Sequence, residues 1–483
     1  MNKEKEKHLT ALYTQWSGES EVRIEPLPPS GSYREYYRLR GDQGTAIGVF
    51  NADDKENRAF ISFTKHFLKK GLPVPKIYGE DLDNRVYLLQ DLGDKTLFSL
   101  LMEQRTNGAF PHSVLANYKM ALDELVKLQV QAGKDLDYSV CYPRDSFDQQ
   151  SMMWDLNYFK YYFLKLSKVP FDEQLLENDF QTYVDYLQAA DRSFFLYRDF
   201  QARNIMVHEG HAYFIDYQGG RRGALQYDLA SLLFQAKANI PHEIRDELLD
   251  YYIHQASQHI DIDRAEFIQF YYGYVMLRLM QVLGAYGFRG FYERKPHFLE
   301  SIPFALDNLK WLLDKMDLPI EVPELMNVAR YLADSESLRK HYVAKPENQE
   351  LTVTVNSFSY KQGIPEDPSG NGGGYVFDCR AIHNPGRYAP YKKLTGRDEP
   401  VIQFLRSQST IEEFLTNVYS MVDASVDMYL ERNFSHLMVS FGCTGGQHRS
   451  VYSADSLARH LKKKFGVNVV VNHVEQERKN WIN

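Results

Sequence analysis

The chain has 483 residues, a length that predicts two or three folding units rather than one core. At 44% hydrophobic, 14% aromatic and 25% charged, its composition excludes extensive disorder. A formal net charge of −8 argues against a protein built mainly to coat nucleic acid.

No apolar run reaches the roughly 20 residues that span a bilayer, so no membrane partner is expected. The opening MNKEKEKHLT is charged with no apolar stretch behind it, unlike a signal peptide. Cys141, Cys379 and Cys443 are sparse and not in metal-like pairs, so neither a disulfide framework nor a zinc site is implied. Cytoplasm, where ATP is available, is the expected location.

In chain order, short apolar runs at Val22–Ile24, Tyr36–Leu39 and Thr45–Phe50 predict consecutive hairpin strands. A helix is expected over Glu56–Lys70, stopping at Gly71, and a strand over Arg85–Gln90. Mainly helical sequence runs to about residue 190. A strand, loop, strand segment interrupts it between Phe194 and Asp216, and long amphipathic helices resume to roughly Leu338. The polar, aperiodic stretch 339–350 is the linker candidate. Beyond it, strands at Leu351–Phe358, Tyr375–Arg380 and His436–Phe441 alternate with helices near 398–431 and at Val451–Phe465. Between the first two strands lies the loop Pro365–Gly374, with Gly370, Gly372, Gly373 and Gly374.

The segment Leu196–Val207 carries Asp199 and Asn204 five residues apart, so one loop can present both to one site. Phosphoryl transfer needs a carboxylate to orient and deprotonate the acceptor hydroxyl, and an amide plus a second carboxylate to hold magnesium on the triphosphate. An apolar strand ending in Asp216 supplies that second carboxylate. One Arg-Asp dipeptide means little. The order Asp199, Asn204, short hairpin, apolar strand, Asp216 is far more restrictive.

YRDFQARNIM at 197–206 followed by FIDYQG at 214–219 resembles the aminoglycoside phosphotransferase/choline kinase family. It is most similar to the bacterial anomeric amino-sugar kinases that phosphorylate N-acetylmuramate and N-acetylglucosamine in cell-wall recycling. SGSYREYYRL at 30–39, LLQDLGD at 88–94 and YDLA at 227–230 agree with it. The resemblance covers about residues 5–335 and implies a bilobal kinase using ATP and Mg2+. It makes Asp199 the base and Asn204 and Asp216 the metal ligands.

Less is settled for the other parts. Ser30, Gly31 and Ser32 form either a turn whose N–H groups meet phosphates or an ordinary hairpin. Gln90, Asp91 and Leu92 would be the adenine hinge. Glu56 either orients a phosphate-binding cation or is a solvated helix-start residue. Asp228 is expected to cap the next helix and brace the catalytic loop. Two departures stand out. Tyr197 replaces the usual His, and the strand Thr45–Phe50 has no lysine to clamp the phosphates, a role left to Arg34 or Arg38. The aromatic residues of 154–162 and 270–274 are either sugar platforms or core.

The second sharp pattern is the strand, loop, helix sequence LMVSFGCTGGQHRS at 437–450, the geometry in which backbone N–H groups and a helix N-terminus bind an oxyanion. Thr444, Arg449 and Ser450 can add donors. By spacing alone Cys443 and Arg449 form the C-x5-R-S pattern of cysteine-dependent phosphatases, although Gly442 precedes the cysteine where His is usual. The alternative is a pure binding loop with Cys443 buried. Residues 351–483 resemble the C-terminal domain of the RapZ RNase adapter family through VFDCR at 376–380, LTG at 394–396 and GCTGGQHRSV at 442–451. That resemblance implies a phosphorylated amino sugar bound by Asp378, Arg380, Thr444, Gly445, Gln447, His448, Arg449 and Ser450, with His473 a lesser candidate. His383-Asn384-Pro385-Gly386 departs from the family's local pattern. An RNA or protein partner is a secondary expectation, since Lys462-Lys463-Lys464 also fits a solvated helix end.

The expected architecture is thus an α+β protein-kinase-like bilobal fold followed by a smaller α/β domain. Its parts are an N-lobe at 1–95, a helical C-lobe at 96–338, a linker at 339–350 and a phosphosugar-binding domain at 351–483. The expected function is an ATP-dependent kinase acting on a small-molecule hydroxyl, with an amino sugar as acceptor. The alternatives are a pseudokinase adapter that senses glucosamine-6-phosphate and a C-terminal phosphatase.

Overall fold

The structure is a computed structural model that describes residues 3–28, 34–106, 109–293, 295–340, 351–367, 369, 373–432 and 434–478. Ser30, Gly31 and Ser32, most of the expected linker, and Gly370 and Gly372 lie outside the described residues. The chain divides into two compact units, Met1–Val343 and Ala344–Asn483.

The first unit opens with α1 (Lys3–Ser17), β1 (Arg23–Pro26), β2 (Glu35–Gly41), β3 (Gly44–Phe50), α2 (Asp54–Lys69), β4 (Ile77–Asp81) and β5 (Val86–Gln90). The strands form an antiparallel sheet in the order β1-β2-β3-β5-β4. Its two faces follow from the period-2 alternation of side chains. Tyr37, Leu39, Ala46, Val86 and Leu88 pack on Leu9, Leu12 and Tyr13 of α1. Val49, Tyr87 and Leu89 pack on Phe60, Phe63 and Phe67 of α2. Helix α1 approaches closely because β3 carries Gly48, where a Cβ would lie 2.7 Å from Leu39 Cδ1 and 2.8 Å from Leu9 Cδ2. Asp53 caps α2 by accepting from the N–H groups of Lys55 and Glu56.

Helices dominate the rest of this unit. They are α3 (Leu97–Gln104), α4 (His112–Val126), α5 (Gln149–Phe159), α6 (Glu173–Leu187), α7 (Leu225–Leu233), α8 (His242–Ser257), α9 (Arg264–Tyr286), α10 (Pro296–Leu299), α11 (Ile302–Lys315), α12 (Pro323–Asp334) and α13 (Glu336–Lys340). Four short strands are set among them: β6 (Phe194–Leu196) pairs with β9 (Arg221–Gly223), and β7 (Ile205–His208) with β8 (His211–Phe214). Phe270, Tyr271 and Tyr274 of α9 are buried in the core, so that run is packing and not a sugar platform. Trp154 is exposed.

The second unit contains β10 (Thr352–Ser359), β11 (Tyr375–Asp378), α14 (Glu399–Gln408), α15 (Ile411–Glu431), β12 (His436–Cys443), α16 (Arg449–Phe465), β13 (Asn468–His473) and α17 (Val474–Arg478). All its strand pairs are parallel, in the order β11-β12-β10-β13. The central β10 and β12 are buried along nearly their whole length, as parallel strands covered on both faces must be. Ligands of such sheets bind beyond the carboxyl ends of the strands, and the loop 443–448 lies at the carboxyl end of β12.

Candidate active site and phosphate loop

β6 delivers the chain into the segment 197–204, and the backbone there is held by Asp228. Tyr197 N and Arg198 N donate to its two carboxylate oxygens at 2.7 and 3.0 Å, and Gln129 Nε2 donates at 2.8 Å. Asp228 therefore braces the loop as expected. It does not cap α7, because it sits within that helix, whose N-cap is Ala224. Burial pushes its carboxyl up to about 7, against the downward pull of the three donors.

Arg198 adopts φ 82°, and Asp216 φ 70°, left-handed backbone that a non-glycine residue holds only when its surroundings fix it. For Arg198 the fixing is visible. Its guanidinium makes a bidentate pair with Asp155 at 2.7 and 2.6 Å, donates to Tyr227 OH at 2.6 Å and lies over the Phe147 ring. The chain then turns so that Asp199 projects half-exposed. Asn204 Nδ2 donates to Asp199 O at 2.9 Å, and Ile215 N donates to Asn204 O at 3.1 Å. These two bonds bring Asp199, Asn204 and Asp216 together. Tyr197, at the usual His position, is buried and its hydroxyl donates to Ile215 O, tying the same two segments by another route.

The sheet contributes Arg34, whose guanidinium pairs with Glu56 Oε2 at 2.8 Å and with Asp216 Oδ1 at 3.3 Å. Glu56 is thus a partner of a cation and not a solvated helix-start residue. Arg38 is committed elsewhere, to Asp91 at 2.8 Å and Asp94 at 2.8 Å. Of the two arginines, Arg34 is the one at the site. Two backbone groups of the expected hinge already have partners. Gln90 N donates to Lys76 O, which extends the β4–β5 pairing by one residue, and Leu92 O lies 3.1 Å from His208 Nδ1. Adenine bonding by these two groups requires them to exchange partners, while the Asp91 carboxylate is held by Arg38 and Gly93 N.

Arg278 of α9 places Nη2 3.5 Å from Asp199 Oδ1 and is itself buried. Neither Arg278 nor Asp155 was singled out as a site residue in the sequence. The available signal is an arginine in the apolar second half of the 23-residue α9, a costly placement without a partner or a task. Among the described residues, no cluster of three or more His, Cys, Asp or Glu side chains is arranged to hold a metal.

In the second unit, much of the expected ligand set is used internally. Gln447 Nε2 donates to Lys392 O and Leu394 O at 3.0 and 2.7 Å, and His448 Nε2 lies 2.9 Å from Tyr391 O. Arg449 Nη1 donates to Arg380 O and Ile382 O at 2.9 and 2.7 Å. It therefore does not present a two-pronged fork outward. Asp378 and Arg380 form a bidentate pair with each other. His473 is buried between Ser357 and Asp455, a packing role. What the loop exposes is Thr444 and Gly445, and Gly446 adopts φ 61° where a Cβ would meet Glu475 Cγ at 2.5 Å. Burial raises the Cys443 thiol, but the hydrogen bonds from Ser450 and the nearby Arg449 charge outweigh it and leave the thiol below its ordinary value.

The antiparallel sheet with its helix, followed by the helical part that carries this braced loop, is a protein-kinase-like bilobal fold. The phosphotransferase enzyme family model matches residues 23–268, just over half of the chain, and the RapZ C-terminal domain model matches 351–477. The chain belongs to the phosphotransferase enzyme family and carries a RapZ C-terminal domain. Among solved structures it is similar to a choline kinase from Cryptosporidium parvum, at 11% identity and TM-score 0.45, covering 68% of this chain and 99% of that one. A choline/ethanolamine kinase family protein from Mesorhizobium loti gives 13% identity and TM-score 0.44, covering 68% and 100%. Among curated relatives, a nucleotide-binding protein of Glaesserella parasuis is 32% identical over 195 residues, 38% of this chain and 64% of that protein. The RNase adapter protein RapZ of Yersinia enterocolitica is 37% identical over 173 residues, 36% and 57% respectively. The chain thus spans less than two thirds of the length of these curated relatives. No helix among the described residues is long and apolar enough to cross a membrane.

Proposed function

We propose that residues up to 338 form an ATP-dependent kinase that phosphorylates a hydroxyl of an amino sugar, and that residues 351–483 bind a phosphorylated amino sugar. The observation that carries the kinase reading is the juxtaposition of Asp199, Asn204 and Asp216 by the bonds Asn204 Nδ2 to Asp199 O and Ile215 N to Asn204 O. Asp199 accepts the acceptor's hydroxyl proton as the oxygen attacks the terminal phosphorus of ATP. Asn204 commits Nδ2 to the backbone, which keeps Oδ1 as its ligand atom beside the Asp216 carboxylate. Two hard oxygen donors plus triphosphate oxygens match the way Mg2+ is usually held. Bound there, the ion neutralises charge on the phosphates. Arg34, oriented by Glu56, takes the part of the lysine that β3 lacks.

In the second unit the N–H groups of the 443–448 loop and the start of α16 are the phosphate cradle, with Thr444, Gly445, Ser450 and the Asp378–Arg380 pair at its edge. The kinship with RapZ adapters makes RNA or protein contact a second role of this unit.

The test is ADP release over N-acetylmuramate, N-acetylglucosamine, choline and an aminoglycoside, with Asp199→Asn as control. Turnover on an amino sugar that disappears in the variant is expected. Silence on every acceptor would leave the adapter reading. The C-x5-R-S spacing of Cys443 and Arg449 gives a second reading, a phosphatase, against which stand the burial of Cys443 and the hold of Arg449 on backbone carbonyls. Hydrolysis of p-nitrophenyl phosphate that persists in Cys443→Ser removes that cysteine as a nucleophile.

A further inference from the structure

A cavity of about 140 Å³ opens beside Asp199, close to the roughly 150 Å³ that takes one benzene ring. It is lined by Arg203 from the turn that precedes β7, Gln235, and Arg278, Gln281 and Tyr286 of α9. Its charged lining residues are Asp199, Arg203 and Arg278. Once the catalytic carboxylate is set aside, two cations and no anion face this space.

Arg278 is 3% exposed. Nη1 donates to Gln281 Oε1, Nε has no hydrogen-bond partner among the described residues, and the carboxylate within reach is Asp199 at 3.5 Å. That separation is longer than a formed N–H···O bond, and a base must release its oxygen to the acceptor hydroxyl. The guanidinium also lies over the Tyr227 ring at 5.8 Å, and with no carboxylate in formed hydrogen-bond contact its burial is costly unless a second anion arrives. A cationic acceptor, by contrast, would meet two arginines.

We infer that this cavity is the acceptor subsite, and that it selects an acceptor bearing a carboxylate, with Arg278 and Arg203 as the specificity-determining pair. The inference rests on the kinase reading above and sharpens its acceptor class to acidic sugars. The anion turns the Arg278 guanidinium toward itself, which frees Asp199 to take the proton.

The matched probes are N-acetylmuramate and N-acetylglucosamine, which differ by a carboxylate-bearing lactyl ether. With the full chain and ATP, kcat/KM should favour the acid. That preference should shrink about 10- to 100-fold in Arg278→Met, through KM for the acid, the range for losing charge-assisted hydrogen bonds. Arg278→Lys should restore part of it. Arg203→Gln, at an exposed position, should shrink the preference even if the Arg278 variants fold poorly. Equal turnover of both sugars by the wild type overturns the inference. So does an Arg278→Met variant that lowers kcat on both alike, the behaviour of an arginine that holds the transferred phosphoryl group. If neither sugar turns over, the kinase reading on amino sugars fails by itself. The subsite is then decided by melting shifts of the ADP-saturated chain, where stabilisation by the acid alone supports it and equal or absent shifts overturn it.

Discussion

Asp199 is half-exposed, and the Arg278 guanidinium stands on one side of it while the Asn204 amide fixes its backbone on the other. Replacing it with Asn keeps the shape and removes the proton acceptor, so kcat for ADP release should fall by about 10²- to 10⁴-fold with the circular dichroism unchanged. Arg34 gives a different signature. It is almost fully buried between Glu56 and Asp216, so Arg34→Met should lower kcat/KM for ATP by roughly 10- to 100-fold, the range for a charge-assisted hydrogen bond. Arg34→Lys should recover part of that loss, as a point charge without the fork geometry. An unchanged KM for ATP in Arg34→Met would remove Arg34 from the phosphate site. The sequence could name both arginines, but only tertiary contacts show that Arg38 is spent on Asp91 and Asp94.

At the scale of elements, the catalytic loop is held from α7 by one carboxylate. Asp228→Ala strands two buried donors, Tyr197 N and Gln129 Nε2, and the part-buried Arg198 N. The expected loss of stability is about 2–5 kcal/mol, at about 1–3 kcal/mol for each unsatisfied group with partial relaxation. Thermal unfolding of the variant measures it, and kcat should fall with it. In the second unit the equivalent tie is Asp455 on α16, which holds His473 of β13 at 3.1 Å and Arg397 at 2.8 Å. Burial raises the Asp455 carboxyl, but these two partners outweigh it and bring it down to about 2. A carboxyl lowered in the folded state stabilises fully above the ordinary carboxylate range, and that contribution is lost as pH falls through about 2. The melting gap between wild type and Asp455→Asn should therefore be widest above pH 4 and close on acidification. A gap independent of pH would show that the pair is not titrating. The strands β2, β3 and β5 are legible from alternation, whereas β4, β9 and β13 are not. β4 and β13 are edge strands, and β9 is a three-residue partner of β6; pairing with a distant neighbour defines each of them more than its own residues do.

For the whole molecule, the consequence lies in having the proposed kinase and the proposed phosphosugar loop on one chain. Glucosamine-6-phosphate at 100 times its Kd should stabilise residues 351–477 by about 2.7 kcal/mol, read as slower amide exchange in that unit. If the ligand also distinguishes two states of the kinase, the rate of ADP release must shift along the same titration. A kinase rate that stays flat while the second unit gains protection would show two independent activities.

Sequence by itself set out the change of pattern between the two units, the order Asp199, Asn204, short hairpin, Asp216, and the strand, loop, helix pattern at 437–450. The last two are spacings of residue types over a short stretch of chain, and such spacings are local. Tertiary structure alone decided which cation meets Asp216, which carboxylate holds the 197–204 loop, and that Arg278 stands beside Asp199. Those pairs join residues 30 to 182 positions apart, through a fold whose packing selects one partner among many of the same charge. The loop side chains Gln447, His448 and Arg449 give the same lesson in reverse. Their types fit a ligand, and their surroundings turn them toward backbone carbonyls.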